Sequence, residues 1–356
     1  MTNHQHGLSD SLKKAIQYLK TYDGPPVRIM EVCGTHTHEI FRQGIRQILS
    51  PKITLISGPG CPVCVTPGGY IDRAVALAED CGATVCTFGD LMRVPGTDKS
   101  LSQARADGAD VRIVYAPEDA EKIAVENPDR SVVFLAVGFE TTTPSACLAV
   151  DHAIADGADN FSILTANKTM PAAYEAMKDS TDIFLYPGHV HAITGMADCR
   201  KMEKEGVSGV VAGFTAGELI SALTIAVKKF EAGETFCVNA YPRVVTETGS
   251  LEAQKLVKKV MEPCDAWWRG IGKIANSGMK LRETFSDYDA AVRFDLPETI
   301  GKDNPGCRCG DVLQGNCRPV DCPLFGKVCT PEHPTGACMV SSEGTCSAYY
   351  LYGGVK

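Results

Sequence analysis

In VRIMEVCGTHTHEI, residues 27–40, an apolar run ends on a cysteine, followed at once by two histidines and a glutamate. Residues 27–32 are short, apolar and preceded by the breaker DGPP, so they read as a buried strand. Cys33 then sits where the strand opens into a loop. A thiol, the imidazoles of His36 and His38 and the carboxylate of Glu39 follow one strand end. Metal binding, thiol catalysis with His36 as the base of a Cys33 nucleophile, and plain packing all fit that spacing.

The same pattern recurs along the chain. Strand-like runs are expected at 27–33, 53–57, 83–88, 110–116, 131–138, 161–166, 182–187 and 209–214. Amphipathic stretches such as GGYIDRAVALAEDC and PAAYEAMKDS lie between them. Regular strand–helix alternation favours parallel sheets covered by helices on both faces. The expected fold is therefore α/β: two tandem parallel-sheet domains, residues 25–125 and 126–236, each with four strand–helix units. An N-terminal helix within 1–24 is expected to pack on the C-terminal domain. Residues 237–356 are expected to be helical, through LEAQKLVKKVMEPCDAWWRGIGKIANSG, and then cysteine-rich.

Open parallel sheets bind ligands beyond the carboxyl ends of their strands. Those ends carry CGTHTHE, SGPGCPVCVTPGG and FGDLMRVPG in the first half, then GFETTTP, ANKTMP, PGHVHAITG and GFTAGE. If the two sheets face one another, these loops line one cleft.

Composition narrows the classes. The 356 residues include 44% hydrophobic and 22% charged residues, ordinary for a globular chain. A net charge of −8 disfavours a phosphate-tracking nucleic-acid surface. No apolar run reaches the roughly 18–20 residues that span a bilayer, and MTNHQHGLSD lacks the basic and apolar parts of a signal peptide. A cytoplasmic chain is expected, without nucleic acid or membrane as partner; His4 and His6 receive no role.

Sixteen cysteines are the outlier, and seven of them lie between Cys307 and Cys346. In a reducing compartment, clustered cysteines mean metal, cluster or redox chemistry more often than disulfides. The tail is rich in Cys, Gly and Pro and poor in periodicity, so bound inorganic material would supply the crosslinks its core lacks. Four thiolates converging from loops suit a 4Fe–4S cluster. Structural zinc is the rival, though the tail has no C-x₂-C pair. Such a pair does occur in GPGCPVC, Cys61 and Cys64, at a strand-to-helix junction, the context of a thioredoxin-like dithiol. His189 and His191 alternate along PGHVHAITG and are expected to point different ways. Cys81, Cys86, Cys147, Cys199, Cys237 and Cys264 read as small core residues.

Taken in order, CGTHTHE, SGPGCPVCVTP, GFETTTP, PGHVHAITG and the tail CPLFGKVCTPEHPTGACMVSSEGTCSAYY resemble the HypD family, maturation factors of NiFe hydrogenases, over nearly the whole chain. The resemblance implies two α/β domains and a third domain carrying a 4Fe–4S cluster. It also implies an assembly scaffold with possible redox activity rather than a simple catalyst. HypD proteins form a complex with the small chaperone HypC, on which an iron ion acquires cyanide and carbon monoxide to give the Fe(CN)2CO unit. Cyanide arrives through HypE, with HypF upstream, and the finished unit passes through HypC to the hydrogenase large subunit.

Carried over by position, Cys33 would be the thiolate that holds this iron, and His36 its neighbour as ligand or proton donor. Cys61 and Cys64 would be the dithiol that exchanges electrons near the iron. The family spacing C-x₁₄-C-x₆-C-x₁₆-C maps onto Cys307, Cys322, Cys329 and Cys346, with Cys338 as competitor and Cys309 and Cys317 as extra thiols. Thr35, His36, Thr141, Thr142 and His189 are candidates to hydrogen-bond the cyanides. An iron–sulfur thiol–disulfide reductase, needing no iron at Cys33, is the alternative from another class; a zinc-stabilised binding module is a third.

Overall fold

The eight expected strands all form, with small shifts at their ends, in a computed structural model that describes residues 9–353. They are β1 (Val27–Glu31), β2 (Ile53–Ser57), β3 (Thr84–Thr87), β4 (Val111–Ile113), β5 (Val132–Ala136), β6 (Phe161–Thr165), β7 (Ile183–Pro187) and β8 (Ser208–Ala212). Strands β5, β7 and β8 are buried along their whole length, as parallel strands covered on both faces must be. A ninth strand, β9 (Cys237–Asn239), was not expected; its three half-buried residues are too few to signal a period. His4 and His6 lie outside the described residues.

Pairing divides these strands differently from the expected break near residue 125. One sheet has the order β2-β1-β7-β8-β9, the other β4-β3-β5-β6, and every pairing is parallel. The chain leaves the first sheet after β2, builds the second, and returns at β7, where Ile29 pairs with Ile183. The architecture is α/β with two parallel sheets, but the second is an insertion in the first rather than its successor. The cause is that β1 takes neighbours on both edges, a long-range choice that local alternation does not encode.

The N-terminal helix Asp10–Thr21 also differs from expectation. Its apolar stripe (Leu12, Ala15, Ile16, Leu19) packs with Leu219, Leu223 and Val227 of helix Ala216–Glu231 on the first sheet, not on the cysteine-rich end. Tyr18 fixes the pairing by donating to Glu231 at 2.8 Å.

Helix Leu251–Val260 stops where a continuing helix was expected. An antiparallel hairpin follows, β10 (Met261–Trp268) and β11 (Gly272–Leu281). Pro263 cannot donate a helical hydrogen bond. The turn holds Gly270 and Gly272 at φ +77 and +109, backbone angles that favour glycine. The cysteine-rich tail contributes Val312, Leu313, Phe325 and Met339 to the cluster that also holds Met30, Phe139, Phe184 and Trp268. It therefore shares the central core instead of forming a separate one. No helix of the described residues is long and apolar enough to cross a membrane.

Candidate functional site

Cys33 leaves the end of β1 in extended conformation and precedes helix Gly34–Arg42. Below it, Glu31 is fully buried, takes the Ser57 hydroxyl at 2.7 Å and pairs with Arg46. Burial raises the Glu31 pKa, with Arg46 and Ser57 opposing. The neighbouring β2 loop presses on Cys33: Gly34 N–H donates to the Gly60 carbonyl at 2.9 Å. A Cβ on Gly60 would lie 2.2 Å from the Cys33 nitrogen. Only glycine permits that approach, so the CGTH and GPGCPVC loops are locked together.

The Cys33 thiol is buried, and burial pushes its pKa up to about 12 against opposing hydrogen bonds from the loop. His36 is fully buried beside it in sequence, and burial pulls its pKa down to about 4. Its Nε2 lies 3.0 Å from the Gly213 carbonyl. A carbonyl only accepts, so Nε2 carries the hydrogen and Nδ1 is a bare lone pair. That Nδ1 is buried and has no partner. Phe214 lies between two imidazoles, with ring centroids 4.7 Å from His36 and 3.8 Å from His189. His189 is exposed while His191 is buried, so the two do point different ways, though from a short helix, Gly188–Thr194, and not a loop.

The tail closes this site. Glu343 accepts from Thr35 Oγ1 at 2.6 Å, the Ser342 carbonyl accepts from His38 at 3.0 Å, and Ser341 donates to Asp90 at 2.8 Å. Three consecutive tail residues thus reach the strand-end loops of both sheets. Thr142 and Thr143, by contrast, donate their hydroxyls to the Phe139 carbonyl of their own loop. In that same loop Glu140 is half-buried, with its carboxylate turned inward. One oxygen takes the Met170 N–H at 2.8 Å and the other has no partner; burial raises its pKa to about 7.

Cys61 Sγ accepts the Cys64 N–H at 3.3 Å across the start of a four-residue helix. Cys64 is fully buried, which pushes its thiol well up, and its Sγ donates to the Ala337 carbonyl at 3.9 Å, next to Cys338 in the chain. Cys338 lies in the same buried cluster as Cys309 and Cys346. Cys61 and Cys64 therefore share one buried cluster with the thiols of the tail. Six of them, Cys307, Cys309, Cys322, Cys329, Cys338 and Cys346, line one small cavity. The four thiols expected as cluster ligands are all among them, and so is the competitor Cys338. Cys317 is not: it lines a separate groove with Arg318 and Asp321.

This lining fits a four-thiolate cluster. The Thr335 N–H already donates to Cys329 Sγ at 3.3 Å, the kind of bond that stabilises a ligating sulfur. Gly336 leaves room where a Cβ would stand 2.7 Å from Cys307 Sγ. Among the described residues no three His, Cys, Asp or Glu side chains converge on a single ion.

Sequence reasoning missed Glu343, Phe214 and the Gly213 carbonyl. Glu343 lies in SSEGTC between two cysteines, and no local pattern separates it from a solvated carboxylate. It also placed Cys81 in the core, whereas Cys81 is exposed; Cys86, Cys147 and Cys199 are buried as expected.

The family model described as the hydrogenase formation hypA family, HypD, matches residues 8–353. The chain is 44% identical over 341 residues to hydrogenase maturation factor HypD2 of Bradyrhizobium diazoefficiens, covering 92% of this chain and 90% of that protein. It is 43% identical over 338 residues to hydrogenase maturation factor HypD of Azotobacter vinelandii, covering 92% and 89%. With hydrogenase maturation factor HypD of Escherichia coli it shares 42% over 353 residues, covering 97% and 94%.

Proposed function

The chain belongs to the HypD family of hydrogenase formation proteins, and on that premise we propose that it is a cytoplasmic scaffold on which, with a HypC-type chaperone and HypE, iron acquires cyanide and carbon monoxide. The Fe(CN)2CO unit is the cargo, destined through HypC for a hydrogenase large subunit. Cys33 holds the iron and His36 serves it from the first turn of the helix that Cys33 precedes. Cys307, Cys322, Cys329 and Cys346 hold a 4Fe–4S cluster, which supplies single electrons when bound.

The observation that carries this reading is the locked approach of Gly60 to Cys33 together with the burial of Cys61, Cys64 and Cys338 in one cluster, where Cys64 Sγ reaches the Ala337 carbonyl at 3.9 Å. A metal-binding thiol, a dithiol and a cysteine-lined cavity then form one continuous site. A thiol that burial keeps protonated needs no counter-ion before iron arrives. Ligation displaces its proton, and the unpartnered Nδ1 of His36 stands in the first turn of the helix that follows. Release of the cargo restores the thiol, which suits a carrier that must give up its metal. Cys61 and Cys64 are the dithiol couple of the site, and cycling it between dithiol and disulfide needs both sulfurs. All sixteen cysteines are free, as a reducing cytoplasm favours.

Anaerobic copurification with a HypC partner, followed by infrared spectroscopy, tests the reading. Cys33→Ala abolishes the bands of iron-bound cyanide and carbon monoxide, while the visible spectrum of the tail cluster persists. A thiol–disulfide reductase would behave otherwise, with Cys33→Ala nearly silent and Cys61→Ala or Cys64→Ala inactive. Diatomic bands that survive in Cys33→Ala overturn the iron assignment.

A further inference from the structure

Beside the β10–β11 hairpin, a cavity of about 320 Å³ opens at the carboxyl end of β6. It is bounded by the hairpin, by the start of helix Gly68–Glu79 and by the segment 289–299, and it contains none of the residues assigned above to iron, dithiol or cluster.

Two cations on its walls make no direct ion pair, although the carboxylates of Asp289 and Glu298 line the same cavity. Lys168 is 3% exposed, and its ammonium makes a single long hydrogen bond, 3.5 Å to the Ala166 carbonyl. It also lies 5.8 Å from the centre of the Trp268 ring. Burial pulls its pKa down to about 8. Arg73 reaches the Leu296 carbonyl at 3.5 Å, and its Nε is buried without a partner. Among the described residues neither cation is in ion-pair contact with a carboxylate.

The other charges on the walls are engaged or peripheral. Lys280 pairs with Glu262 and Asp265 with Lys273, each at 3.2 Å. Asp289 accepts the Ala291 N–H at 2.8 Å, and Glu298 is exposed at the rim. A buried ammonium with one weak acceptor and a buried guanidinium nitrogen with none are costly unless a ligand supplies more. Ammonium and guanidinium groups recognise carboxylate and phosphate oxygens, and the position beyond a parallel strand end is where open α/β sheets place ligands. The volume lies at the small end of organic ligand sites.

We infer that this cavity binds a small organic anion through its carboxylate or phosphate head, held by Lys168 and Arg73. The assignment does not rest on the assembly role, since the two sites share no residue.

The chain's only two tryptophans report on it: Trp267 lines the cavity and Trp268 faces Lys168. The full chain is titrated anaerobically with sodium phosphate and, separately, with sodium acetate, at ionic strength held constant with sodium chloride, and tryptophan emission is read. A saturable change is expected with at least one probe; which one saturates tells phosphate from carboxylate recognition. Lys168→Met and Arg73→Met should each weaken binding about tenfold or more, and Lys168→Arg should keep it within about threefold. Cys33→Ala should titrate like the unchanged protein. Arg73 lies only half-buried on a helix surface, so Arg73→Met decides the matter if Lys168→Met fails to fold. No saturation with either probe overturns the inference, and so does an affinity unchanged in Arg73→Met.

Discussion

Glu343 Oε1 accepts the hydroxyl hydrogen of Thr35 at 2.6 Å, joining the cysteine-rich tail to the first strand-end loop. Two residues earlier, Ser341 grips Asp90 of the other sheet. The tail therefore bridges the two sheets at the point where the CGTH loop must be held still. Glu343→Ala removes a charge-assisted bond from a half-buried site and should cost about 1–3 kcal/mol in urea unfolding. Iron retained per chain after anaerobic loading should fall with it, and Glu343→Gln, which keeps an acceptor, should recover part. Equal iron retention in the Ala variant would remove Glu343 from any role in placing Cys33.

Gly60→Ala tests the contact between the two thiol loops. Its Cβ would stand 2.2 Å from the Cys33 nitrogen, so backbone must shift. We expect destabilisation of about 2 kcal/mol or more, from forced backbone movement in a packed site. Cys33 should also become faster to alkylate than in the unchanged protein. A variant of native stability and unaltered alkylation rate would show that the two loops move independently.

The seven tail thiols should separate by position. Cys329→Ala, in the cavity and bonded by Thr335, should lose the brown cluster chromophore and loosen residues beyond about 300 in hydrogen exchange, because ligation supplies folding energy there. Cys317→Ala, outside that cavity, should keep both. An intact spectrum in Cys329→Ala would take Cys329 out of the ligand set.

The pH dependence of stability should have two limbs of opposite origin. His36 and His191 are both lowered by burial, from 6.5 to about 4. Between those values the unfolded chain binds protons the native chain does not, so stability falls as pH drops through that window. Glu140 is raised by burial from 4.5 to about 7. There the native chain holds the extra proton, so stability falls as pH rises through that window. Each shift corresponds to about 3 kcal/mol at most. Urea titrations of the metal-free protein should show a shallower acid limb in His191→Gln and a shallower alkaline limb in Glu140→Gln. Limbs parallel to the unchanged protein would mean that these groups are solvated.

What could be read from the sequence was local. Each of β1 to β8 is a short apolar run between breakers, and a run of that length in a strand–helix alternation has one low-energy conformation whatever its partner. The loops that follow were legible for the same reason, and so were Cys33, His36, Cys61 and Cys64 as a group at parallel strand ends. Where the strands pair was not legible. Val27–Glu31 carries two charged residues and Ile183–Pro187 none, and nothing in either dictates that they lie side by side while β3 to β6 form a sheet of their own. The hairpin after Val260 was hidden because the amphipathic helix before it runs without a break in polarity into Met261, and only Pro263 and the two turn glycines mark the change. Glu343, Phe214 and Lys168 gained their meaning from neighbours far along the chain. A carboxylate, a phenyl ring or an amine acquires a role from what it is buried against, and burial is a property of the packed fold.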